Sequence, residues 1–248
     1  MISHFEKQFE LRYLEMNFLG EATPTAILAL LEEAAADHCY DINYSLYDLL
    51  DRNIGWVLIG GYMQMERYPK YKEKITIRTW LSNYSTVRGI RENIIYDESG
   101  EIIGRAKGLW VFFDIVKRRP TAIFDEIKTK WSCYAEQSIA YDVTQKIAPV
   151  ENATYRDMFN VYKFDVDTNE HVNNIRYLHW VMDTIPKEVL EHNFLYSIDG
   201  RFIAEAQYGD VITSLTERHG NDSTFSHTIK TDKDRVCATA VTVWRPLK

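Results

Sequence analysis

The chain has 248 residues, 46% of them hydrophobic and 26% charged, with only 11 Gly and 6 Pro. That composition suits one large domain or two compact ones of about 100–125 residues, and it excludes disordered, collagen-like and low-complexity chains. A formal net charge of −7 argues against a general nucleic-acid binder, because phosphate contacts need a basic footprint. The longest apolar stretches, Ala26–Leu31 and Leu109–Phe113, fall far short of the roughly 20 residues that span a bilayer. The opening Met-Ile-Ser-His-Phe-Glu-Lys lacks the n-region, h-region and cleavage site of a secretory signal. Cys39, Cys133 and Cys237 are odd in number and widely spaced, with no CxxC, which disfavours a disulfide framework or a zinc ribbon. The expected location is a reducing cytoplasm. The 16 Tyr, 11 Phe and 6 Trp suit a large β-rich core and an apolar pocket equally well.

In chain order, Phe9–Tyr13 reads as a short strand entering a loop at Leu14–Gly20. Thr23 or Thr25 can cap a helix that buries Ile27, Leu28, Leu30, Leu31, Ala34 and Ala35, with Pro24 suited to its first turn. Strand-like runs follow at Trp56–Met65, Lys74–Leu81, Gly89–Tyr96 and Glu101–Ile115, the last two flanking the turn Asp97-Glu98-Ser99-Gly100. The second half repeats that order. Tyr155–Phe164 is strand-like and Asp165–Glu170 is a polar loop. Asn173–Thr184 has Ile175, Leu178, Val181 and Met182 at helical spacing and stops near Pro186. Further strands are expected at Leu195–Ala206, Asp210–Glu217, Ser223–Lys230 and Arg235–Trp244, with a turn at Thr231-Asp232-Lys233-Asp234.

An offset of 150 pairs Phe9 with Phe159, Glu15 with Asp165, Leu28 with Leu178 and Glu33 with Asp183. The shared order of elements makes an internal repeat. A helix with so wide an apolar face needs a sheet to cover it, and two α+β units of helix and curled antiparallel sheet are the simplest solution. The boundaries expected are 1–125 for the first domain, 126–152 for a linker that contains a short helix near Phe124–Glu136, and 153–248 for the second domain.

The densest polar stretch is Phe164-Asp-Val-Asp-Thr-Asn-Glu-His-Val-Asn-Asn-Ile-Arg-Tyr177. In extended backbone Asp167, Asn169 and His171 point to one side, and the helix that follows brings N–H donors to the same place. A carboxylate, an amide, an imidazole and backbone donors make a hydrolytic constellation. The spacing equally suits Asn173 and Asp167 capping a helix against which His171 packs. Asp165-x-Asp167-x-Asn169 opens like a calcium loop, but Glu170 and Arg176 stand where such a loop needs Gly and Glu.

The run 164–177, followed by Trp180, resembles the signature of hot-dog-fold thioesterases and, more narrowly, of the acyl-acyl-carrier-protein thioesterases of plant plastids and bacteria. That resemblance implies two tandem hot-dog domains and hydrolysis of fatty acyl groups held by phosphopantetheine on acyl carrier protein. The plants' transit peptide is not seen, so the expectation is a bacterial member. Asp167, Asn169 and His171 are implied as catalytic, with a Glu on a downstream strand matched by Glu205. Asp167 would attack the carbonyl or activate water, and Asn169 would orient substrate or water. His171 would shuttle a proton, Glu205 would hold the water, and backbone donors near Asn173 and Asn174 would face the oxyanion. No metal or organic cofactor is called for. Ala206 stands where the plant enzymes carry a Cys, which disfavours thiol catalysis.

Asn17, Leu19, Glu21 and Tyr68 occupy the corresponding first-half positions, so one site per chain is expected; the resemblance implies that the first half instead houses the acyl tail. An acidic carrier needs a local basic patch. The candidates are Lys70, Lys72 and Lys74, then Arg88 and Arg91, then Lys117-Arg118-Arg119. An acyl-CoA thioesterase with the same residues, and a non-catalytic acyl-thioester binder, are the alternatives. Acyl chain length and a choice between monomer and homodimer are not readable from the sequence.

Overall fold

The computed structural model describes residues 4–166, 172–220 and 223–247. The chain divides into two compact units, Met1–Val143 and Thr144–Lys248. In the first, β1 (Phe5–Glu10) leads through a one-turn helix at Tyr13–Glu15 to α1 (Pro24–Asp41). Thr23 is the cap: its side chain accepts the Ala26 N–H at 3.1 Å, and Pro24 follows in the first turn, where its missing N–H costs nothing. The apolar face of α1 (Ile27, Leu30, Leu31, Ala34 and Ala35) is buried, and the helix packs on β1 and β3. After α2 (Leu46–Leu50) come β2 (Ile54–Met65), β3 (Lys74–Tyr84), β4 (Arg88–Tyr96) and β5 (Ile102–Asp114). All pair antiparallel in the order β1-β3-β4-β5-β2, with the two-residue β6 (Arg119–Pro120) on β5. The β4–β5 turn closes as the sequence suggests. Asp97 Oδ1 accepts the N–H groups of Ser99 and Glu101, and Gly100 takes a φ of +83°.

Residues 126–143, within the connection expected from the sequence, pack on this first unit. Helix α3 (Asp125–Lys130) sends Ile127 into the core, and Trp131 follows it. Beyond it, Glu92 and Lys107 form an ion pair buried on both sides, 3.3 Å apart. Glu92 accepts the Ser138 N–H (3.0 Å) and hydroxyl (2.7 Å), and Lys107 donates to Gln137 Oε1 at 2.9 Å. The pair fastens the stretch and satisfies its own desolvated charges.

In the second unit β7 (Tyr155–Asn160) leads through a one-turn helix at Lys163–Asp165 to α4 (Asn174–Asp183) and α5 (Lys187–His192). Then β8 (Asn193–Phe202), β9 (Val211–Arg218), β10 (Thr224–Thr231) and β11 (Val236–Pro246) pair antiparallel in the order β8-β11-β10-β9-β7. α4 packs on β9 and β10.

The repeat extends to individual hydrogen bonds. The bridges Met16–Ala22 and Val166–Val172, the one-turn helices and the caps Thr23 and Asn173 all stand 150 residues apart. Further along, the offset falls to 137. Lys72 N–H donates to Leu11 O, as Gly209 N–H does to Val161 O, and Lys72 and Gly209 both have positive φ.

Candidate active site

Asp167, Asn169 and His171 lie outside the described residues. Both ends of the stretch that carries them are pinned. Tyr162 N–H donates to Asp165 Oδ2 at 2.8 Å, Val166 bridges to Val172, and Asn173 N–H donates to Asp165 O at 3.0 Å. Asp165 is buried and pairs with Arg176 Nη2 at 2.5 Å, which ties the loop to the first turn of α4. Asp165 was a motif position with no assigned role, and the structure makes it the anchor. Its signal in the sequence is Asp165 and Arg176 on either side of the polar run.

Asn173 is the α4 cap, its Oδ1 accepting the Ile175 N–H at 2.8 Å. Its own N–H is committed to Asp165 O, which removes it from the oxyanion donors expected near this helix start. Asn174 opens the helix as its first residue. Glu205 also differs from expectation. It follows β8 by three residues, in the loop to β9, instead of lying within a strand. The ladder ends there because Ile203 and Ala204 both turn their N–H groups to Cys237 O, at 2.8 and 3.2 Å.

The Glu205 loop is held tightly. Arg235 Nη2 donates to Glu205 O at 2.6 Å, and Val172 N–H reaches Ala206 O at 3.3 Å. Ala206 N–H donates to the Tyr177 hydroxyl at 2.8 Å. Burial raises the Tyr177 phenol well above its ordinary pKa, so it serves as a neutral acceptor. The sequence reading missed this role. Two and six residues further along α4, burial lowers the His179 pKa and raises that of Asp183. Tyr162, Phe164 and Tyr208 are exposed aromatics on this unit, Phe164 almost completely so at 97%.

The first unit keeps the frame and changes the groups. Ala22 N–H donates to Pro69 O at 2.8 Å, the counterpart of Val172 to Ala206, and Asn17 Oδ1 accepts the N–H groups of Leu19 and Glu21. Tyr68, opposite Glu205 in the repeat, is buried. Proline offers no N–H, and Ile27 stands where α4 has Tyr177. Among the basic candidates, Lys70, Lys72, Lys74 and Lys117–Arg119 are exposed. Arg91 is only 5% exposed, so Arg88 and Arg91 do not form a surface pair. Arg91 faces the core because β4 is buried along most of its length on both faces.

Residues 3–131 match the model of the acyl-ACP thioesterase N-terminal domain, and residues 149–246 match that of the acyl-ACP thioesterase C-terminal domain. The chain belongs to the acyl-ACP thioesterase family. Oleoyl-acyl carrier protein thioesterase 2, chloroplastic, of Arabidopsis thaliana is 27% identical over 228 residues, covering 86% of this chain and 62% of that protein. The chain thus spans somewhat less than two thirds of that relative's length. Two solved structures share the fold with a TM-score of 0.88 each. The acyl-ACP thioesterase of Bacteroides thetaiotaomicron is 21% identical, with 98% of each chain covered. The 12:0-ACP thioesterase of Umbellularia californica is 23% identical, with 100% of this chain and 99% of the other covered. The α+β, tandem hot-dog architecture follows for this member of the acyl-ACP thioesterase family.

Proposed function

We propose that the chain hydrolyses the thioester of fatty acyl-acyl-carrier protein, adding water across the C–S bond to release free fatty acid and the carrier's phosphopantetheine thiol. The observation that carries this reading is the hydrogen bond from Val172 to Ala206, in a chain that belongs to this family over both halves. Those two residues directly follow His171 and Glu205, so the backbone neighbours of imidazole and carboxylate are bonded to each other. Asp167 is the central carboxylate, Asn169 orients the carbonyl or water, His171 moves the proton and Glu205 holds the water. Asn174 at the start of α4 is the remaining oxyanion-side candidate. The first unit, which has lost the acid, amide and imidazole together, receives the acyl tail.

The carrier is acidic, and exposed Lys70, Lys72 and Lys74 or Lys117–Arg119 supply the basic surface it needs. Among the described residues no helix is long and apolar enough to cross a membrane, and Cys39, Cys133 and Cys237 are free thiols, which supports a reducing compartment such as the cytoplasm. The test is thiol release from matched acyl-carrier-protein and acyl-CoA substrates. Asp167→Asn and Glu205→Gln are each expected to lower kcat by about 10²–10⁴-fold. The control Asn17→Ala with Glu21→Gln keeps near-normal kcat. Equal behaviour of Asp167→Asn and that control would refute the single site, and a preference for acyl-CoA would refute the carrier.

A further inference from the structure

Arg91, buried on β4 of the first unit, has no carboxylate partner among the described residues. Its Nη1 donates to His38 Nδ1 and to Thr79 Oγ1, both at 3.1 Å, and its guanidinium lies 5.5 Å from the Trp131 ring centre. A guanidinium only donates, so Nδ1 of His38 is an acceptor and the ring proton sits on Nε2. That Nε2 is buried without a partner, and so are Trp131 Nε1, Trp56 Nε1 and the Tyr84 hydroxyl. The rings are contiguous. His38 lies 5.2 Å from Trp131, Trp56 lies 6.3 Å from Trp131, and Trp56 and Tyr84 pack on the apolar cluster that holds Trp131, Leu81 and Phe112.

Each of the four unsatisfied groups can donate a hydrogen bond, and three of them can do nothing else. Beside them sits a cation without a counter-ion, in apolar surroundings. Native interiors rarely leave such a set unanswered. A ligand that brings acceptors, one negative charge and an apolar body would answer it. Arg91 is the one buried cation of the cluster among the described residues, which fits a monoanion, and its planar fork matches a two-oxygen acceptor.

We propose that this cluster binds a carboxylate borne on a fatty chain. The carboxylate comes either from a free fatty acid or from the far end of an acyl group whose chain terminates in a second carboxyl. Trp56 and Tyr84 are half-buried, so they are the members of the cluster that reach the surface. Binding here needs no thioester chemistry, so it is measured without turnover and its failure is separate from failure of the hydrolysis reading.

The experiment is calorimetric titration of the full chain with dodecanoate, 1-dodecanol and methyl dodecanoate. Wild type is expected to bind dodecanoate about tenfold or more tightly than either neutral analogue, the usual scale for a hydrogen-bonded charge. Arg91→Met and Tyr84→Phe should erase most of that preference and leave dodecanol binding unchanged. The Arg91→Met protein should melt no lower than wild type, because an unpaired buried cation is lost. Tyr84→Phe keeps the test intact if Arg91→Met does not fold. No preference in wild type, or a preference that survives in the folded variants, overturns the proposal. Thiol release from dodecanoyl and 11-carboxyundecanoyl thioesters separates the two sources. Faster release of the second, lost in Arg91→Met, identifies the acyl terminus. Equal release with Arg91-dependent dodecanoate binding identifies the free acid.

Discussion

Tyr177→Phe removes one oxygen and leaves a ring that still meets Trp180 at 5.4 Å and Phe202 at 5.9 Å. The group it strands is Ala206 N–H, on a residue with no solvent exposure. A buried donor left unpaired costs about 1–3 kcal/mol. In a chain of this size that is a fall in Tm of about 2–12 °C. The larger consequence is expected in catalysis, because the bond sits one residue from Glu205, and a displacement of about 1 Å at a reacting group costs on the order of 10²-fold. The assay is steady-state thiol release from acyl-carrier protein, read beside a thermal melt. The expected result is a kcat lowered about 10–100-fold with KM little changed. Adding Ala206→Pro reproduces the Ile27 and Pro69 pairing of the first unit and removes the stranded N–H. Stability should return without kcat. A Tyr177→Phe protein with a lowered Tm and full kcat would refute the positioning role and leave the hydroxyl a purely structural acceptor.

His227 is fully buried between Thr216 Oγ1 (2.8 Å) and Thr242 Oγ1 (2.9 Å), and burial pulls its pKa down from 6.5 to about 3. The unfolded chain therefore takes up a proton below pH 6.5 that the folded chain refuses, so stability present above that pH is lost as pH falls toward 3. At pH 5 the loss is about 2 kcal/mol for this residue. Denaturant melts at pH 7.5 and 5 should show His227→Gln losing less stability than wild type by that amount, and parallel losses would refute the assignment. Burial also raises the thiol pKa of Cys39 and Cys237, which keeps them protonated near neutrality. Replacing Cys39, Cys133 and Cys237 together by Ala should leave kcat within a few-fold. A folded but inactive triple variant would restore a thiol mechanism.

Most strands were legible because their alternation and turn residues act locally. α1 was legible because Thr23 and Pro24 mark its start and one face is apolar over several turns. Helices α2 and α5 were not, since five and six residues carry too little periodicity. Only the Ser45–Asp48 capping box announces the first of them. The sequence run Leu195–Ala206 continues the strand pattern past Phe202, while the end of the ladder is set by Cys237 O, a long-range acceptor. Arg91 misled for a related reason: period-two alternation assigns a charged residue to the open face, and β4 has almost none. At the site, residue types were readable and supports were not. Tyr177 acts on a backbone N–H 29 positions away, and Asp165 acts by capping its own loop and pairing with Arg176.

The repeat explains why the two units diverge where they do. A backbone frame of bridge, one-turn helix and helix cap is common to both, so substitutions within it change chemistry without changing the fold. In the first unit the pair Ile27 and Pro69 satisfies the frame with no hydroxyl and no N–H, which frees Tyr68 to sink into the core. The same unit has a longer helix, 18 residues in α1 against 10 in α4, and the offset between the units falls from 150 to 137 beyond it. His38 and Cys39 lie in that extra length, past the position where α4 ends. The extension carries the imidazole to Arg91. Loss of the acid, amide and imidazole at one end of this helix thus accompanies a new buried cationic cluster at the other. Hydrogen bonds to His38 and Thr79 and the Trp131 face offset part of the desolvation of this guanidinium, and the proposed carboxylate would offset the rest.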